Sequence, residues 1–296
     1  MLRFESLTKR YGDVVALDGA SLAVASGRMV GFLGPNGSGK TTAMRSIFGL
    51  VRLDEGRVLW DGQPVEGSVA RRFGYMPESR GLYPKMQVRE QVEYFAMLHG
   101  ADRTAARRQA EHWLGVLGLS DRVDSRVETL SHGNQQRVQL AVSLAFESDL
   151  LVLDEPFSGL DPLAVRTMGD VIRQEAARGA GVLFSSHQLD LVEDLCDDVV
   201  IIDHGRVVLS GPLEDVRSAS PHRYVEVRGE AAAEPWHRAV AGAEVVEEHQ
   251  RSVRLRVDAK SEPGAILAAA SAAGHVDGFR FEPPSLADLF VEAVRR

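Results

Sequence analysis

A few short stretches of the 296-residue chain carry side chains that could do chemistry. Gly34-Pro-Asn36-Gly37-Ser38-Gly39-Lys40-Thr41-Thr42 follows an apolar run, residues 29–33, and opens a helical-looking segment, 43–48. Strand, glycine loop and helix together form the context in which G-x-x-x-x-G-K-[ST] binds phosphate. Glycines let successive backbone N–H groups point inward, and a helix N-terminus adds about half a positive charge. Lys40 is placed to reach the β- and γ-phosphates, and the Thr41 hydroxyl to bind Mg²⁺. The alternative is an ordinary glycine-rich turn. Only four lysines occur, at 9, 40, 85 and 260, so one falling at the end of this pattern favours the phosphate reading.

A second stretch, Leu150-Leu-Val-Leu153, is continuously aliphatic and ends in Asp154-Glu155-Pro156. Adjacent carboxylates at the end of a buried strand sit where α/β sheets bind ligands, and a cation is their natural partner. Asp154 can hold Mg²⁺ through water, and Glu155 can polarise a water for attack on the γ-phosphate. His187 ends another apolar strand, 181–186, and is either structural or a phosphate contact. Ser131-His132-Gly133 opens a helix, with Ser131 as N-cap, and reads either as a plain capped start or as a second anion site. Tyr11, after the first strand, is either core or a ring that stacks on a purine.

The elements that must hold these residues follow from periodicity. Pieces 2–7, 20–25 and 28–33 read as strands split by Gly12, Gly19 and Gly27, and strands are also expected at 57–62, ending in a turn, and at 72–77. Glu78-Ser-Arg-Gly-Leu-Tyr-Pro84 reads as a loop at a strand end. From 88 to 119 the texture is helical, with Ala110, Trp113, Leu114 and Leu117 on one face and Arg103, Arg107 and Arg108 in solvent. A helix capped by Asp161 with Pro162 in its first turn places Val165, Met168 and Ile172 inward. A hairpin turns at His204-Gly205. Beyond a looser stretch, 212–221, a new unit carries strands at 224–228, 253–257 and 276–281, an Ala-rich helix at 265–273 and a closing helix at 285–294. That unit has no glycine loop or metal-ligand cluster and reads as an α+β accessory domain without chemistry of its own.

The totals narrow the function classes. Thirty-four basic against 42 acidic residues give a net charge of −8, which argues against a nucleic-acid surface. One cysteine, Cys196, excludes a disulfide framework, fits a reducing compartment and reads as core filler on a helix. No apolar run approaches the roughly 18 residues of a membrane helix, so the expectation is a cytosolic chain held at any membrane by another subunit.

Taken together, the motifs resemble the nucleotide-binding subunit of ATP-binding-cassette (ABC) transporters. The resemblance covers about residues 1–215 through six motifs in order: Tyr11 as the base-stacking aromatic, Walker A at 34–42, the signature at 130–135, Walker B at 150–155, the D-loop at 158–161 and the switch His187. It implies a P-loop NTPase fold, with a mixed sheet core and a helical signature subdomain at about 86–148, followed by the α+β domain at 222–296. It also implies ATP and Mg²⁺ as ligands. Gly34, Asn36, Gly37, Ser38, Gly39, Lys40, Thr41 and Thr42 would grip the phosphates, and Thr41, Asp154 and Glu78 the metal. Glu155, His187 and Lys40 would be catalytic. Ser131 and Gly133 would face the ATP of a partner subunit, in a homodimer or with a paired ATPase.

Two departures stand out: His132 and Asn134 replace a Gly and the Gln of the signature, and Glu78 replaces the Q-loop glutamine. Such changes, with the loop 78–84 and the tail 281–290, resemble bacterial exporters of the ABC-2 type. The expectation is therefore an energising ATPase, peripheral on the inner face of the cell membrane through an ABC-2-type permease. Two other readings stay open: a soluble cassette ATPase acting on ribosomes or DNA, and an importer subunit with a regulatory C-terminal domain.

Overall fold

The computed structural model describes residues 1–79, 81–233 and 235–294. It divides into two compact units, Met1–Pro212 and Leu213–Arg296. The first opens with an antiparallel pair, β1 (Leu2–Tyr11) and β2 (Val14–Val24). Gly19, expected to break the chain between strands, instead lies inside β2 at φ 70°. The pairing shifts there, from Leu7 opposite Ala20 to Lys9 opposite Leu17, so β2 carries one extra residue. A left-handed glycine at a bulge bends the strand without ending it.

Next come β3 (Met29–Leu33), α1 (Lys40–Ile47), β4 (Glu55–Trp60), β5 (Gln63–Pro64), α2 (Gly67–Ala70) and β6 (Phe73–Met76). Helices α3 (Val88–Leu98), α4 (Arg103–Val116) and α5 (His132–Ser143) form a helical segment. The expected face of α4 is the buried one, with Ala110, Trp113, Leu114 and Leu117 inside. The unit closes with β7 (Leu150–Leu153), α6 (Pro162–Ala177), β8 (Gly181–Ser185), α7 (Leu189–Leu195), β9 (Asp198–Asp203) and β10 (Arg206–Pro212). On α6 the inner stripe is Ala164, Met168, Val171 and Ile172, while Val165 only flanks it. Cys196 stands just past α7 in extended backbone, not on a helix, and its Sγ fills the space beside Gly31. Burial pushes its thiol pKa well up.

Two sheets share one core. The first has the order β2-β1-β4-β5; the second, β10-β9-β3-β8-β7-β6, is parallel except for the edge strand β10. Every residue of β3, β7 and β8 is buried, as strands covered on both faces must be. Phe4 and Leu22 of the first sheet, Ala43, Met44 and Ile47 of α1, and Val152 and Leu183 of the second belong to one hydrophobic cluster. Because β3, β8 and β7 are parallel neighbours, the loops leaving them emerge at one edge, which fixes the place of any site.

The second unit starts with a short helix, α8 (Leu213–Ala219), where the sequence pattern is loose. Its sheet contains β11 (His222–Gly229), β12 (Glu244–His249), β13 (Ser252–Asp258) and β14 (Val276–Glu282), antiparallel in the order β12-β13-β11-β14. Helix α9 (Pro263–Ala273) buries Ile266 and Ala270 against Val225, Val227, Val253, Leu255 and Val257. Alternation puts Tyr224 and Arg254 on the other face, where α10 (Leu286–Val294) meets them. Asp288 of α10 takes both Nη atoms of Arg254, at 3.0 and 2.6 Å, and Glu292 accepts from Tyr224 Oη at 3.1 Å.

Leu255 is fully buried at the centre of this smaller core. Leu255→Ala should lower the stability of the second unit by about 2–5 kcal/mol, through lost transfer energy and the cavity left behind. Urea unfolding followed by circular dichroism checks this.

Candidate functional site

Where β3 ends, residues 34–39 turn tightly before α1. Two glycines are required by their surroundings: a Cβ on Gly34 would lie 2.2 Å from the Ile202 carbonyl oxygen, and one on Gly39, at φ 109°, would lie 2.2 Å from that of Ala16. The loop is also tied from outside. Gly205 N–H donates to the Ser38 carbonyl at 2.9 Å, and Gly205 O accepts from Asp18 N–H at 2.9 Å. His204 and Gly205 both have positive φ, 45° and 78°, as a tight hairpin turn requires. Lys40 Nζ donates to the carbonyls of Gly34 and Pro35 at 2.7 and 3.1 Å. Burial lowers its pKa, and Glu155, Asp154 and Glu78 pull it partly back up.

A cavity of about 330 Å³ lies over this loop, lined by Asn36, Gly37, Gly39, Lys40, Thr41, Thr42, Glu78, Asp154 and Glu155, with Val14 and Ala16. Three segments far apart in sequence thus meet: the glycine loop, the loop after β6 and the acidic pair after β7. Other expected residues lie off this cavity. The Ser38 side chain is buried and points at Gly34. Tyr11, 50% exposed where β1 turns into β2, lies with its ring centroid 5.2 Å from Lys9 Nζ. Arg80, within the loop after β6, lies outside the described residues.

The acidic pair is held by a network the sequence did not disclose. Asp154 is 1% exposed; its Oδ1 accepts from Ser185 Oγ at 2.7 Å, and the same Oγ accepts from Glu155 N–H at 2.9 Å. Asp154 Oδ2 is buried with no protein partner. Glu155 adopts φ 53°, a costly conformation for a non-glycine residue, and one that sites tolerate when neighbours enforce it. His187 Nδ1 lies 2.9 Å from Glu155 Oε2. Further restraint comes from α5: Gln136 Nε2 donates to the Glu155 carbonyl at 2.9 Å, and Gln139 Nε2 to that of Pro77. Reading α5 by its apolar spacing passed over both glutamines, although an amide on a helix buried nearly all round needs a partner.

The donor set suits a hard divalent cation. A carboxylate with one uncommitted buried oxygen, beside the Thr41 hydroxyl and Glu78, matches the oxygen ligands that Mg²⁺ takes when phosphates supply the remainder. Among the described residues no group of three His, Cys, Asp or Glu side chains gathers into a self-sufficient metal site.

Ser131 caps α5, its Oγ accepting from Asn134 N–H at 3.4 Å. Ser131 is exposed and Gly133 half-buried, and neither lines the cavity. One chain therefore presents the Walker loop and the signature turn as separate surfaces.

Comparison with known proteins fits this arrangement. Over 294 residues the chain is 36% identical to the ABC transporter ATP-binding protein YhaQ of Bacillus subtilis (strain 168), covering 99% of this chain and 98% of that one. The chain belongs to the ABC transporter family. This ABC transporter ATP-binding subunit is an ATPase, and ATP is its ligand. Residues 17–158 match the ABC transporter family model, and residues 211–294 match the C-terminal domain of DrrA1-3-like ATP-binding proteins. It is 36% identical over 226 residues to the Nod factor export ATP-binding protein I of Burkholderia orbicola (strain AU 1054), covering 75% of this chain and 72% of that one. A solved structure of the ATP-binding subunit of an ABC transporter matches with a TM-score of 0.69 and 33% identity, covering 73% of this chain and 92% of that one.

Ser185→Ala should leave one Asp154 oxygen and the Glu155 amide without their shared partner. The expected outcome is a loss of about 1–3 kcal/mol in stability together with slower ATP turnover. Thermal melting and phosphate release measure the two effects.

Proposed function

We propose that this ATPase energises an exporter through a separate ABC-2-type permease. The observation that carries the catalytic part is the cavity that joins Lys40 and Thr41 to Asp154 and Glu155, with the latter held by His187. Backbone N–H groups of 34–42 and the Lys40 ammonium bind the triphosphate. Tyr11, at the solvent end of β1, stacks on the base. Thr41, Asp154 and Glu78 would hold Mg²⁺, which would neutralise phosphate charge. Glu155 accepts a proton from the attacking water, whose oxygen bonds to the γ-phosphorus as ADP leaves. His187 holds the Glu155 carboxylate in place.

Ser131 and Gly133, remote from their own cavity, bind the ATP of a second subunit, so that two chains packed head to tail share two sites. An apolar cleft of about 510 Å³ beside the loop after β6 supports permease docking there; Phe73, Tyr75, Pro77, Leu82, Phe95 and Phe146 are among its walls. Among the described residues no helix is long and apolar enough to cross a membrane, which fits a peripheral place on the inner face of the membrane through that permease. The functional division we assign is an ATPase domain at 1–215, with its helical subdomain at 86–148, and an accessory domain at 222–296. Export as the direction rests on the likeness to the Nod factor export protein.

Lys40→Ala removes the phosphate's cation and should abolish binding of a fluorescent ATP analogue; unchanged affinity would refute the loop assignment. Glu155→Gln should bind ATP, hydrolyse it at least about 100-fold more slowly and accumulate as a dimer in size-exclusion chromatography. Wild-type hydrolysis in that variant removes Glu155 from the role of base.

A further inference from the structure

His132, the residue that departs from the signature pattern, has a defined place. A Cβ built on Gly159 would lie 2.4 Å from His132 Cδ2 and 2.8 Å from its Nε2, so the imidazole lies directly against the Gly159 backbone. Gly159 is at φ 71°, in the 158–161 turn between Glu155 and α6. The next residue repeats the contact in reverse, since a Cβ on Gly133 would meet Leu160 Cδ2 at 3.3 Å. Arg137 Nη2 then lies 3.7 Å from Asp161 Oδ2, and Gln136 holds the Glu155 carbonyl at 2.9 Å. Four residues at the start of α5, His132, Gly133, Gln136 and Arg137, thereby meet 155–161.

We infer that His132 is a positioning residue, a wedge that locks the signature turn to the 158–161 turn of the same chain. It thereby passes the state of the partner's nucleotide to this chain's own Glu155. The inference rests on the proposed sharing of ATP between two chains. A glycine at 132 leaves the space beside Gly159 empty, and the two turns can then slide. The Cδ2–Nε2 edge of the imidazole packs against a backbone that has no side chain. A planar apolar ring should replace it, and a flexible cation should not.

The test is a double-mutant cycle on the full chain, with ATP hydrolysis and its cooperativity in ATP concentration as readouts. His132→Gly should lower kcat and bring the Hill coefficient towards one, with the affinity of the Mg²⁺-free single subunit for a fluorescent nucleotide unchanged. His132→Phe should restore both kinetic values, and His132→Lys neither. Gly159→Ala should slow turnover in the wild-type chain and cost at least about threefold less in the His132→Gly background, a coupling typical of touching residues. The backbone strain of alanine at positive φ is common to both backgrounds and cancels. Additivity within about twofold overturns the wedge, as does rescue by Lys but not by Phe. Thermal melts of each variant separate a slack seam from a failure to fold. If the wild-type chain hydrolyses no ATP, the proposed function fails; if it hydrolyses ATP and the cycle is additive, only the wedge fails.

Discussion

One buried hydroxyl fixes the geometry of the site. Ser185 Oγ donates to Asp154 and receives the Glu155 amide, joining the ends of two parallel strands at the edge where the glycine loop also emerges. A carboxylate at that depth costs free energy unless its oxygens are satisfied; the serine settles one and leaves the other buried without a protein partner. The positive φ of Glu155 follows from the same node. Its amide is held at Ser185, its carbonyl at Gln136 and its carboxylate at His187, and those three anchors maintain a backbone conformation that a free turn would abandon. The role proposed for Glu155 depends on this restraint, because a base must stand at one distance from one water.

The parts of the molecule legible in the sequence were those whose signal is local. The phosphate loop, the aliphatic β7 with its acidic pair, the amphipathic face of α4 and the His204-Gly205 turn each carry their own pattern within a few residues. What could not be read depends on pairing across long separations. Ser185 looks like a polar ending to an apolar strand until β8 is laid beside β7, which brings it to Asp154 from 31 residues away. Gln136 and Gln139 bond carbonyls 19 and 62 residues distant in the same way. Strand β12 was invisible for another reason: all six of its residues are exposed and its pairing shifts between Val245 and Glu247, so no alternation survives. Helix α8 buries only Leu213 and has no stripe to find.

The C-terminal unit shows a different economy of charge. Its sheet is apolar on the α9 face and ionic on the other, where Arg254 lies 4.5 Å from the centre of the Tyr224 ring and is forked onto Asp288. Asp288 also accepts from the Ser285 amide and hydroxyl, at 2.8 and 2.6 Å. Such a half-buried pair adds little net stability, but its bidentate geometry admits one seating of α10 against the strands. The arrangement specifies a shape.

The turn at His204-Gly205 bears on how the cassette meets its ligand. By gripping the Ser38 carbonyl from the edge of the sheet, and Asp18 of the neighbouring strand with it, the hairpin gives the phosphate loop its form as the polypeptide folds. The entropy of ordering that loop is spent at birth, not at every encounter with a triphosphate. Binding energy that would otherwise go into shaping a cradle is left free for the pairing of two chains proposed above.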